Sequence, residues 1–333
     1  MVTEREVINQ QVSWLLDDIA VEGTLTYPKD GGNEYGVVFV AGSGPTDRDW
    51  CSPLLPGTNG SGKLLAEALA KEGFSTLRYD KRASGPHVQE NVMKLIGKIS
   101  MQSHQDELAG AVQTLVASGK ASSGVFALTS SEGEIHALNY QLQTNCTRFR
   151  GLVLTGAPGR SICAVARTQI QAQVTPLPNA EEVMKGYDAA IADFSAGKPV
   201  SPDPALPEAV RNLVLGLAAP MNLPFSRELW LYDPSQYFGK VDVPVLVVIG
   251  KKDVQVDWQL DGAPLEAAAE SMADVSFVYP ENANHVLKFE DALRGELTGL
   301  AALKYNVDGG KLDSEAVGAI VGWLKAHLPS FFF

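Results

Sequence analysis

A chain of 333 residues with 45% hydrophobic and 20% charged side chains can bury one large core, or a core with a smaller accessory domain. Its formal net charge of -12 at pH 7 sets it against polyanionic partners, so neither nucleic acid nor an anionic membrane surface is expected. The three cysteines, Cys51, Cys146 and Cys163, show no CxxC or metal-ligand spacing, which predicts buried free thiols and neither a disulfide framework nor a metal site.

The N-terminal MVTEREVINQQVSWLLDDIAVEG carries charges where a signal peptide needs an apolar stretch, and no membrane-length apolar run follows it. Cytoplasmic residence is the expectation. IAVEGTLTY at 19–27 alternates as a strand, PKDGGNE is turn-rich, and YGVVFVAG at 35–42 reads as buried strand. Together they predict a hairpin leading into the sheet. SGKLLAEALAKEGF at 61–74 has helical apolar spacing, and STLRYD at 75–80 is the next strand. A helix over 102–118, a strand at 124–130, a helix in EGEIHALNYQLQ and a strand at 150–158 continue the pattern. Strands alternating with amphipathic helices predict an α/β protein with a mostly parallel sheet flanked by helices.

After Pro158 the alternation stops. SICAVARTQIQAQV, AEEVMKGYDAAIADFSAG and PEAVRNLVLGLAA are helical stretches broken by proline-rich joints, so residues 159–240 read as a helical cap inserted into a core of 1–158 and 241–333. Core patterning resumes with strands at 243–250 and 275–280, a helix in PLEAAAESMA between them, and a closing helix at 314–328. The C-terminal LPSFFF leaves three phenylalanines either folded back on the body or in contact with a second copy, as in a homodimer.

In TSSEG, residues 129–133, a serine stands where a buried strand gives way to a helix, the setting of a nucleophile elbow. Ser131 fits better than Ser130 because Gly133 follows two residues on, although Thr129 stands where a glycine is usual and a plain structural turn is the other reading. A serine hydroxyl needs an imidazole to take its proton and a carboxylate to orient that imidazole. For this fold the chain order is Ser, acid, His. Asp253 lies just past the strand at 243–250 and His285 just past the strand at 275–280. Asp257 and His87 are the rivals, while His104, His136 and His327 fall in helices and read as structural. Acyl transfer also needs donors aimed at the developing oxyanion. The N–H of Glu132 and that of Ser43, in the glycine-rich AGSGP after the strand at 35–42, are the candidates. These glycines match neither GxGxxG nor GxxxxGK[ST], which argues against a nucleotide cradle.

AGSGPTDRDW, RYDKRASG, TSSEG, LYDPSQYFGKVDVPVLVVIGKKDVQV and ENANHVLK follow one another in an order and spacing that resembles bacterial and metagenomic serine esterases of the α/β-hydrolase superfamily, a branch related to serine aminopeptidase-like hydrolases. The resemblance spans about residues 19–328. It implies a Ser131, Asp253, His285 triad, an oxyanion hole from Ser43 and Glu132, a cap at 159–240 that shapes the acyl or alcohol pocket, and no cofactor or metal. The chain departs from that pattern at Ala41, Thr129, Ser130 and Glu134. Asp47, Arg48, Asp49, Asp80 and Arg82 read as an ion network bracing loops.

Hydrolysis of a small-molecule carboxylic ester is the resulting expectation, with amides, lactones or thioesters as alternative substrates of the same machinery and a catalytically silent binding protein as the reading from another class. Serine at the elbow argues against a dehalogenase, which needs aspartate there. Trp50 and Trp230 are the pocket candidates, with simple packing the other reading for Trp50; Trp230, like Phe225, Met184, Tyr187 and Tyr232, stands at helical spacing, where cap core is the commoner role.

Overall fold

The computed structural model describes residues 5–329; the three C-terminal phenylalanines and the first residues of the N-terminal segment lie outside that range. Eight strands form one sheet in the order β1-β2-β4-β3-β5-β6-β7-β8. They are β1 (Val7–Leu16), β2 (Ile19–Pro28), β3 (Tyr35–Val40), β4 (Ser75–Tyr79), β5 (Gly124–Ser130), β6 (Leu152–Thr155), β7 (Val245–Val248) and β8 (Val275–Val278). From β4 to β8 every pairing is parallel, while β1 and β2 are antiparallel additions at one edge.

Helices cover both faces, which is why β3, β5, β6 and β7 are largely apolar. On β3, Val37 and Phe39 face one side and Val38 and Val40 the other, as the period of two requires. The first side packs on α1 (Ser61–Lys71) and on the closing helix at Ser314–Ala326 through Leu65, Leu69, Ile320 and Leu324. The second side is met by helices that follow α2 (Val88–Leu95): α3 (Met101–Ala117) and α4 (Gly133–Gln141), through Leu108, Val112, Leu115 and Leu138.

Between β6 and β7 the chain forms α5 (Ile162–Val174), α6 (Ala180–Ser195), α7 (Glu208–Leu217), α8 (Phe225–Trp230) and α9 (Ser235–Phe238). Most of them share an apolar cluster of their own, with Tyr187, Phe194, Val214 and Trp230 at its centre. α10 (Gly262–Ala268) links β7 to β8, and α11 (Ser314–Ala326) closes the chain. Among the described residues no helix is long and apolar enough to cross a membrane.

The edge of the sheet differs from the sequence expectation. β2 does not pair with β3, because β4 lies between them; the hairpin is instead β1 with β2, turning at Asp17 and Asp18. β1 is hard to see in the sequence because polar pairs take the place of an apolar stripe: Thr26 donates to Asn9 Oδ1 at 2.7 Å, and Gln11 reaches Thr24 at 3.2 Å. Asp17 and Asp18 have φ of 49° and 61°, the left-handed pair of a type I′ turn, in which glycine is preferred at the second position. Asp18 is exposed, so Asp18→Gly removes backbone strain without touching a packed group. It is expected to raise unfolding stability by up to ~1 kcal/mol, measured by chemical denaturation.

Candidate active site

β5 ends at Ser130 and α4 begins at Gly133, leaving Ser131 and Glu132 to reverse the chain. Ser131 takes φ of 52°, a left-handed conformation that is costly for any residue with a Cβ. Two contacts hold it there. Its N–H donates to Thr155 O at 2.8 Å, and its carbonyl accepts the Glu134 N–H at 3.0 Å in the first turn of α4. A Cβ at residue 133 would lie 2.4 Å from Val40 O and 3.0 Å from Ala41 O, so this turn admits only glycine there. Thr129 causes no such crowding. It sits inside the ladder between Val40 and Leu154, fully buried, its carbonyl accepting the Thr155 hydroxyl at 2.6 Å.

Asp253 and His285 stand on the loops after β7 and β8, at the same edge of the sheet as Ser131. His285 Nδ1 lies 2.7 Å from Asp253 Oδ2, and Asp253 is 0% exposed. The other carboxylate oxygen accepts the N–H groups of Gln255 at 2.7 Å and Val256 at 2.9 Å, so the buried carboxylate is fully hydrogen-bonded. Tyr305 stacks on the imidazole at 6.2 Å between ring centroids. A carboxylate held this way favours the tautomer with the proton on Nδ1, which leaves Nε2 free to accept one. Asp257, the rival acid, is instead paired with Arg294 at 2.6 Å, and Arg294 also donates to the Asp253 carbonyl at 3.0 Å.

Ser131 and His285 line one cavity of about 280 Å³, together with Ser43, Trp50, Gln255 and Tyr305. Trp50, buried against Phe39, lines this cavity. Trp230 does not. It is buried in the cluster of α6 to α8, with Phe194 at 6.3 Å, and stands away from this cavity. Met184 and Tyr187 share that cluster, Phe225 packs on His104 and His136, and Tyr232 bonds Asn139. Among the described residues, none from 159–240 lines the cavity.

The N–H groups of Ser43 and Glu132 donate to no acceptor among the described residues, and Ser43 lines the cavity. The remaining histidines are held elsewhere: His87 by Glu22, His104 by Glu107, His136 by Glu132 and His327 by Asp274. The DRD loop is braced as its charges suggest, Arg48 binding Asp80 at 2.6 Å and Glu22 at 3.0 Å, and Arg78 binding Asp49. Arg82 joins Glu107 at 3.0 Å.

Beneath the elbow lies a buried charged cluster that the sequence reading leaves out. Burial alone would raise the Glu132 carboxyl, but the hydrogen bond from His136 and the nearby Lys81 ammonium outweigh it and hold it at about 2. Glu107 is likewise held at about 2, by His104 and Arg82 against burial. Burial and the neighbouring His104 bring His136 down to about 4, so it is neutral at pH 7 and donates to an ionised Glu132. Lys81 is buried, which lowers its pKa, and its Nζ donates to the carbonyls of Gly42 and Gly44 at 2.6 Å each. In RYDKR, Arg78, Asp80 and Arg82 take ionic partners from distant segments, whereas Lys81 takes backbone carbonyls, which nothing in the sequence marks.

No family model matches the chain. It is 27% identical over 244 residues to the esterase EstD of Thermotoga maritima, across 72% of this chain and 52% of that protein; the chain thus spans about half the length of the curated relative it matches. Among solved structures, the Pyrococcus furiosus esterase Pf2001 superposes with a TM-score of 0.54 at 16% identity, over 97% of this chain and 92% of that one. The proline iminopeptidase of Mycobacterium smegmatis gives 0.54 at 16% identity, over 96% and 98%. These likenesses establish the fold.

Glu134, one of the departures from the family pattern, is 0% exposed with neither carboxylate oxygen hydrogen-bonded. Burial, reinforced by Asp261, raises its carboxyl well above 4.5, so the folded chain keeps it protonated where the unfolded chain ionises it. A raised acid makes unfolding release a proton, and stability is lost as pH climbs above about 4.5. Glu134→Gln has no proton to release. Its stability advantage over the parent is therefore expected to be small near pH 4.5 and to widen towards pH 8, read from denaturant midpoints at each pH.

Proposed function

We propose that this chain, an α/β-hydrolase by fold, is a serine hydrolase that cleaves small carboxylic esters through an acyl-enzyme on Ser131. The observation that carries the proposal is the imidazole of His285, bonded to a fully buried Asp253 and facing the cavity that the strained Ser131 also lines. The named activity of the Thermotoga esterase supports the same reading. A cavity of about 280 Å³ lies at the small end for organic ligands, which favours short to medium acyl chains.

In this mechanism His285 Nε2 takes the Ser131 proton as Oγ attacks the ester carbonyl. The charge that develops on the carbonyl oxygen is met by the N–H groups of Ser43 and Glu132. The resulting imidazolium, stabilised by Asp253, protonates the leaving alcohol, and the acyl group stays on Ser131. Water then enters, gives its proton to His285, attacks the acyl carbonyl and releases the acid, restoring the serine. Residues 159–240 are proposed as a helical cap over a core of 1–158 and 241–333. Amide cleavage would use the same groups but must protonate a poorer leaving nitrogen.

Ser131→Ala is expected to abolish turnover of p-nitrophenyl acetate and butyrate and labelling by a fluorophosphonate probe. Asp253→Asn is expected to lower kcat by about 10⁴, because the imidazole would then present the wrong tautomer. Undiminished ester turnover in Ser131→Ala would sink the proposal. A panel of esters and aminoacyl amides at equal concentration separates esterase from peptidase.

A further inference from the structure

Each oxyanion donor in the mechanism above is one end of a peptide group, and the other end is its carbonyl. A trans peptide is planar, with C=O and N–H pointing in opposite directions. Whatever holds the carbonyl therefore aims the N–H. For Glu132 the partner carbonyl is that of Ser131, fixed by the Glu134 N–H at 3.0 Å in the opening turn of α4. For Ser43 the partner carbonyl is that of Gly42, and it lies in an irregular loop with no helix or strand to orient it.

We propose that Lys81 is the positioning residue for this second donor, its ammonium gripping the Gly42 and Gly44 carbonyls so that the Ser43 N–H points into the cavity beside Ser131. Lys81 is 6% exposed and follows directly on Asp80 at the end of β4, next to β3 in the sheet, so its side chain rises from a rigid base. Both Nζ contacts are 2.6 Å, short enough for charge-assisted hydrogen bonds. A cation on the Gly42 oxygen also polarises that peptide and makes the Ser43 N–H a stronger donor. Gly44, with φ of 68°, lets the loop curl so that one ammonium reaches carbonyls on both sides of Ser43. Burial lowers the pKa of this ammonium, and the carboxylates of Glu132 and Glu107 act against that by favouring its charged form. Glu132 carries the first donor on its own backbone, so one buried ion cluster underlies both halves of the oxyanion site.

The inference rests on the serine-hydrolase reading, and the test separates the two. Lys81→Met and Lys81→Gln are compared with the parent on p-nitrophenyl butyrate, with kcat expressed per site found by burst titration, and with affinity for a phenylboronic acid as a tetrahedral adduct. Loss of an aimed donor predicts a fall in kcat on the order of 10²–10³, KM within a few-fold, and boronate affinity falling in step with kcat/KM. A merely structural lysine would lower the number of competent sites while leaving kcat per site and boronate affinity as in the parent, and that result overturns the proposal. Should neither variant accumulate in soluble form, Gly44→Ala decides. A Cβ there meets nothing within 4 Å, so it strains only the loop that Lys81 holds, and an unchanged kcat would overturn the proposal too. If the parent itself neither turns over esters nor labels at Ser131, the hydrolase reading fails first and takes this one with it.

Discussion

One residue held at a positive φ decides where everything else in the site must stand. Ser131 at 52° presents its hydroxyl clear of the sheet instead of folding it into the ladder or the helix. The strain costs about 1–3 kcal/mol and is offset locally by bonds from the turn to β6 and to α4. Because the strands from β3 to β8 are parallel with their neighbours in this half of the sheet, their carboxyl ends share one edge. The loops that carry Ser43, Asp253 and His285 must then converge on that same serine.

Convergence alone does not fix loops, and this chain fixes them with buried lysines. Lys81 holds the carbonyls of Gly42 and Gly44, Lys252 holds that of Ala292, and Lys288 holds those of Asn59 and Tyr305. All three are at most 8% exposed. An ammonium offers three donors on a flexible stem, so it can join carbonyls from segments that share no ladder. Burying it costs several kcal/mol unless those donors are used. The same cost makes the alternatives worse: a loop that drifted away would strand the charge. Arg294 acts in the same way, joining the Asp253 carbonyl to the Asp257 carboxylate.

What the sequence made legible follows from how local each signal is. Apolar runs marked β3, β5, β6 and β7 because both faces of those strands are covered, and strand ends singled out Ser131, Asp253 and His285 without knowledge of their separation. The antiparallel edge was less readable. β1 holds to β2 partly through Asn9, Gln11, Thr24 and Thr26, and polar pairs leave no hydrophobic period. Lys81 was hidden for a different reason: its partners are backbone carbonyls far away in the chain, and a carbonyl has no residue identity to read. Trp230 misled because an aromatic at helical spacing looks the same whether its helix packs on sisters or on a substrate, and only the cluster around Phe194 and Val214 tells them apart.

The helices between β6 and β7 therefore bear on the site at one remove. They own a core and give no wall to the cavity, whose surfaces come from the loops at 42–55, 255, 285–286 and 302–306 and from the elbow. Yet α5 reaches the site through one bond, Gln169 Nε2 to the Gln255 carbonyl at 2.9 Å. Gln255 lines the cavity while its own N–H holds Asp253. A shift of α5 would thus reach the cavity wall and the carboxylate behind His285 through the same residue. The walls of this cavity belong to the loops, and the link from the helices between β6 and β7 runs from Gln169 to the Gln255 backbone, which holds the Asp253 carboxylate.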